Sequence, residues 1–171
     1  MWEKLEWGKL EEAVRYFPKN TFSLRFSPKR KSATLFYTFW QGKKAKKKPV
    51  VRWTERTEDS VIAGRCVPFP FIFYITPHTT TEEILFFLMA LSLYLELRSA
   101  IPPDIQIEPS FSHFIDSTLY IFDANSCIAY VTLTPQWTLS VVCGNQPIWE
   151  FIATPQNIPQ LAEVVANVLP L

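Results

Sequence analysis

At 171 residues the chain is long enough to bury a core of ordinary size, and 14 Phe, 6 Trp and 6 Tyr against 4 Gly and 19% charged residues exclude a long disordered segment. Three widely spaced cysteines, Cys66, Cys127 and Cys143, suit neither a disulfide framework nor a paired-thiol metal site. The formal net charge of +1 hides a split: residues 1–65 hold 16 of the 17 basic residues against 7 acids, a net of +9, whereas residues 66–171 hold Arg98 alone against 9 acids, a net of −8.

Residues 2–17 set Trp2, Leu5, Leu10, Ala13, Val14 and Phe17 at helical spacing, with Glu11 and Arg15 as an i,i+4 ion pair, and Pro18 ends this first predicted helix. Acids and bases are mixed through its start, so it does not read as a secretory signal. A cytoplasmic location is expected, or a nuclear one in a eukaryote. Residues 21–27 alternate, Phe22, Leu24 and Phe26 on one face and Ser23, Arg25 and Ser27 on the other, as in a half-buried strand. Residues 33–40 predict a second strand, residues 41–49 a basic loop and residues 50–56 a third strand. A further strand starts at Val61, and Pro68 and Pro70 make residues 71–75 an edge strand or a separate one.

Thr79-Thr80-Thr81-Glu82-Glu83 carries a capping box that opens a helix running to about Arg98. Its apolar run, residues 84–95, is broken only by Ser92 and would span roughly 18 Å, short of a hydrocarbon core of about 30 Å. It reads as a buried helix, and no membrane partner is expected. After Pro102 and Pro103, short strands are predicted at 105–108, 119–123, 128–134, 138–143 and 148–152, with a turn at Gly144-Asn145. A closing helix over 159–169 takes Asn157 as its cap. The pattern predicts an α+β fold: antiparallel sheets packed against a central buried helix, with N- and C-terminal helices. One domain, 1–171, is expected, within which a basic lobe (1–65) and an acidic lobe (66–171) are distinguished; no internal repeat is evident.

The basic residues are the feature that bears on function. Lys43, Lys44, Lys46, Lys47 and Lys48 place five ammonium groups within six residues, a run that repels itself and gains most by meeting phosphates. A solvated hairpin loop is the plainer alternative. Arg25, Arg52 and Arg56 fall on strand positions opposite the apolar sets, so that with Lys29, Arg30 and Lys31 at one rim and the lysine run at the other they would form a basic face. The second strand would add Phe36 and Trp40, or Tyr37 and Phe39, depending on register, and aromatics beside Arg on an open sheet can stack bases.

Catalytic signatures are lacking. His78 and His113 are the only histidines; Ser112, His113 and Asp116 are close in sequence, which does not make a triad. Asp104 and Glu108 lack the nearby lysine of a carboxylate nuclease, and no Gly-rich loop or close metal-ligand pair occurs. No cofactor or metal is expected. Trp137, Trp149 and Phe151 near strand edges have the composition of a protein interface and equally of a core. The sequence thus predicts a non-enzymatic nucleic-acid-binding accessory or adaptor protein of a nucleoprotein assembly, RNA or DNA being undistinguished. The rival reading is a protein-protein interaction module whose basic lobe docks an acidic protein partner; a third is a small enzyme with an unrecognised site, and the plain reading of the charge split is that the basic lobe complements its own acidic half.

Overall fold

The computed structural model describes residues 5–27, 31–56, 58, 60–112, 115–144 and 146–171. Trp2, Lys29, Arg30, His113 and Asn145 lie outside the described residues. The described chain is α+β, with three helices and two antiparallel five-stranded sheets. It divides into two compact units, Met1–Leu85 and Phe86–Leu171.

In the first unit, α1 (Leu5–Arg15) precedes β1 (Phe22–Ser27), β2 (Ser32–Gln41), β3 (Lys44–Arg56), β4 (Val61–Cys66) and β5 (Ile72–Ile75), which pair in sequence order as a meander. Alternation decides which face is buried. Phe22, Ala33, Leu35, Tyr37, Val51, Trp53, Ile62, Phe73 and Ile75 form the inner face. From α1, Trp7 meets Phe26 edge-on at 5.7 Å, and just after its end Phe17 meets Phe22 at 4.8 Å. The Trp7 indole N–H also donates to Glu55 Oε1 at 3.0 Å. One face of the sheet is therefore covered by its own helix.

The expected basic loop over 41–49 is instead part of the sheet. β2 and β3 stay paired out to Gln41 and Lys44, leaving a two-residue turn of Gly42 and Lys43. Gly42 has φ +63, a conformation that glycine adopts without steric cost at the first position of a tight hairpin turn. Lysines alone would not hold a strand; the main-chain ladder to the aromatic β2 does. Pro49 lies at the bulge, where the ladder shifts between Leu35 and Phe36 and Val50 is the extra residue, a position that tolerates a missing N–H.

The helix α2 (Thr81–Ala100) opens with the expected capping box. The Thr80 N–H donates to Glu83 Oε1 at 3.3 Å and the Glu83 N–H to Thr80 Oγ1 at 3.2 Å. Every residue over 84–95 is buried, as an all-round apolar helix requires. Among the described residues no helix is long and apolar enough to cross a membrane.

In the second unit, β6 (Gln106–Ser110), β7 (Ser117–Asp123), β8 (Ser126–Leu133), β9 (Thr138–Val142) and β10 (Trp149–Ile152) again pair in sequence order, and α3 (Ile158–Val168) closes the chain. The inner face holds Ile107, Leu119, Ile121, Ala129, Val131, Leu133, Leu139 and Val141. Asn157 occupies the cap position of α3 without capping it. Its side chain turns back, accepting from the Thr154 N–H at 2.8 Å and donating to the Ile152 carbonyl at 2.9 Å.

Both sheets are five-strand meanders that follow a helix in the chain, α1 or α2, a repetition that no residue pattern had signalled. The correspondence extends to detail: the second and third strands of each sheet carry a bulge, between Leu35 and Phe36 in one and between Ile121 and Phe122 in the other. Beyond it, each hairpin closes through a residue of positive φ, Gly42 at +63 and Ala124 at +52.

Candidate nucleic-acid interface

The register of the first sheet settles where the basic side chains stand. Arg25 pairs with Thr34, Thr34 with Arg52, Arg52 with Arg65, and Arg65 with Ile72, so that one straight row crosses all five strands. This row lies on the face opposite Leu35, Val51 and Trp53. Its three arginines are exposed. Among the described residues none of them has an ion-pair partner. Arg65 is a member that the sequence reading missed.

Like charges directly opposite each other on neighbouring strands disfavour the sheet, by about 0.2–1 kcal/mol for a pair. The second unit shows that the topology does not demand them. Counting from the two bulges, the row equivalent to Arg25, Thr34, Arg52 and Arg65 is Glu108, Tyr120, Tyr130 and Val142. There the tyrosines meet edge to face at 5.7 Å, and no positive charge is present in the row.

The hairpin tells the same story. Past its bulge the second unit makes two further pairs, Phe122 with Cys127 and Asp123 with Ser126, whereas the first unit makes six, from Phe36 with Pro49 to Gln41 with Lys44. Four extra residues on each strand lengthen the first hairpin by about 13 Å. This added arm carries four of the five clustered lysines: Lys44, Lys46 and Lys47 within it and Lys43 at its tip. Lys48 stands at its base.

Strand alternation divides these lysines between two faces rather than gathering them on one. Lys44, Lys46 and Lys48 pair with Gln41, Phe39 and Tyr37, on the inner-face side of β2, and Lys48 Nζ lies 5.5 Å from the Phe39 ring centre. Lys47 pairs with Thr38 and shares the outer side with Phe36 and Trp40. Arg25 lies over the Phe36 ring at 5.2 Å. Trp40, paired with Ala45, is 66% exposed, and among the described residues no other ring stacks on it.

Lys31, expected at the rim, and Arg56, expected on the basic face, both lie off the arginine row. Lys31 approaches Glu55 Oε2 at 3.7 Å, a carboxylate on the inner-face side, which takes its charge away from the arginine row. Arg56 is exposed, beside Val61 at the far end of β3, two residues along the same face from Thr54.

Other chemistry is sparse. Among the described residues no three His, Cys, Asp or Glu side chains converge. His78 is exposed in a turn where its backbone N–H donates to Thr76 Oγ1 at 3.2 Å. Asp104 and Glu108 are both exposed. Burial pushes the Cys66 thiol up to about 12 and raises that of Cys143, so neither is poised as a nucleophile. In the second unit Ile148, just before the edge strand β10, and Trp149 and Ile152 within it are exposed, while Trp137 turns inward to Phe86 at 6.1 Å. Comparison with protein-family models, with curated proteins and with solved structures finds no match for this chain.

Proposed function

We propose that this chain is a non-enzymatic accessory or adaptor protein that contacts the phosphate backbone of nucleic acid through the outer face of its first sheet. The row Arg25, Arg52 and Arg65 carries the reading. Three exposed guanidinium groups stand together without ion-pair partners among the described residues, where the repeated topology holds Glu108, Tyr130 and Val142 instead. Guanidinium groups without carboxylates gain most from oxyanions. Lys47 and Lys43 continue the track along the arm, Lys44, Lys46 and Lys48 raise the local potential from its reverse side, and Arg56 extends it at the other end. The edge strand β10, with exposed Trp149 and Ile152 and with Ile148 just before it, supplies the adaptor with a surface for a protein partner. Three free thiols suit a reducing compartment such as the cytoplasm.

The test is the anisotropy of a labelled oligonucleotide titrated with the protein at several salt concentrations. Neutralising about five phosphates gives a slope near −3.5 in log K against log salt for a single strand. Arg52→Glu and Lys47→Glu are each expected to weaken binding and flatten that slope. Absence of binding at low salt, with a stoichiometric acidic protein co-purifying in place of nucleic acid, would favour the protein-docking rival.

A further inference from the structure

Along the arm the outer face is not uniformly basic. Moving outward from the arginine row, the outward positions of β2 and β3 read Thr34 with Arg52, then Phe36 with Pro49, Thr38 with Lys47, and Trp40 with Ala45, before the Gly42-Lys43 turn. Cation and aromatic ring therefore alternate, Arg52, Phe36, Lys47, Trp40, Lys43, with same-face neighbours about 7 Å apart along the strands. The last ring of the series is the most exposed of the aromatic side chains described, Trp40 at 66%. Its partner across the hairpin is Ala45, too small to cover the indole.

From this alternation we infer that the ligand is single-stranded nucleic acid, with Trp40 as a stacking platform for an unpaired base and Lys47 and Arg52 on the flanking phosphates. The inference rests on the nucleic-acid reading above and narrows it. A duplex offers phosphates to the cations but keeps its base faces hidden in the stack, so an exposed indole set between cations is used only when bases are unpaired. Its 66% exposure sets Trp40 outside the core of the described residues, on an arm that the second unit's hairpin lacks. Phe36, already covered by the Arg25 guanidinium, forms the inner end of the platform.

The experiment uses the full chain with three labelled probes of equal length: a single-stranded pyrimidine oligonucleotide, its duplex, and an abasic strand with the same phosphates. The single strand is expected to bind tightest. Trp40→Ala is expected to weaken it roughly 5- to 150-fold, the range for losing one stacked base, while duplex and abasic binding stay within twofold. Trp40→Phe should restore most of the loss. Equal affinity for all three probes, or a Trp40→Ala variant that binds the single strand like the wild type, overturns the single-strand assignment and leaves the phosphate-contact reading standing. Failure of every probe to bind at low salt removes both.

Discussion

Arg52 and Arg65 are register partners at the centre of the first sheet, two exposed guanidinium groups side by side without ion-pair partners among the described residues. The pair opposes folding by a few tenths to about 1 kcal/mol. Arg65→Thr, which keeps strand propensity, is therefore expected to raise Tm by about 1–4 °C. The same change should weaken oligonucleotide binding. Thermal unfolding and anisotropy on one preparation check both signs, and a variant that loses stability while binding normally would assign Arg65 a structural role instead.

Gly64 faces Trp53 across the same two strands on the inner side. A Cβ placed on Gly64 would lie 2.3 Å from Trp53 Cζ3, and the indole is fully buried, so neither side can give way easily. Gly64→Ala is expected to cost about 1–3 kcal/mol, the usual range for overpacking. In a Trp53→Phe background the cost should shrink, because the smaller ring vacates the contested space. Urea unfolding of the four proteins of this cycle measures the coupling.

How much of this was legible beforehand depended on whether side chains reported on burial. Phe22, Leu24 and Phe26 alternate with polar residues, and Thr80 with Glu83 spells a cap, so β1 and the start of α2 could be read directly. The arm could not. Lysines fall in both parities over residues 43–48, with Ala45 too small to mark a buried face, and Pro49 reads as a breaker although it occupies a bulge. The one usable signal was Gly42 as the first residue of a two-residue hairpin turn. Arg65 was missed because its face is set by the Gly64–Trp53 contact across β3 and β4. The repeat was hidden for a related reason: Arg52 and Tyr130 hold equivalent positions with unrelated side chains, since the topology specifies inward residues and leaves the outer face free.

Thr38 is 4% exposed, and among the described residues its hydroxyl has no hydrogen-bond partner. An unsatisfied buried hydroxyl costs about 1–3 kcal/mol. Thr38→Val keeps the β-branch and removes the polar atom, so it is expected to raise the urea midpoint by an amount corresponding to about 1 kcal/mol with an unchanged m value. A lowered midpoint would mean that the hydroxyl is satisfied in solution.

The three thiols should separate by burial. Cys127 is exposed, whereas Cys66 and Cys143 are buried. One equivalent of an aromatic disulfide reagent is expected to react promptly at pH 8 and to disappear in Cys127→Ser, the other two reacting only on unfolding. Desolvation raises the Cys66 pKa from 9.0 to about 12, so the folded state holds its proton over a window in which the unfolded state has lost it. The stabilisation from keeping this thiol neutral is complete below about pH 9 and falls as pH rises toward 12. The stability difference between wild type and Cys66→Ala should accordingly be flat below pH 9 and narrow above it.

Shortening the arm separates fold from function most directly. Deleting residues 38–41 and 44–47 leaves Phe36, Tyr37, Gly42, Lys43, Lys48 and Pro49, the length at which the second unit's hairpin closes through Ala124 and Asn125. Six of the eight deleted residues are exposed, so most of the lost contacts are with solvent. Thr38 and Phe39 are the exceptions, and their loss should lower Tm by several degrees without abolishing cooperative unfolding. Single-strand binding is expected to fall further than for Trp40→Ala alone, because Lys47 leaves with the indole, while residual binding through Arg25, Arg52 and Arg65 keeps a shallower salt slope. A shortened protein that folds and binds the single strand as tightly as the full chain would show that the arm serves another purpose.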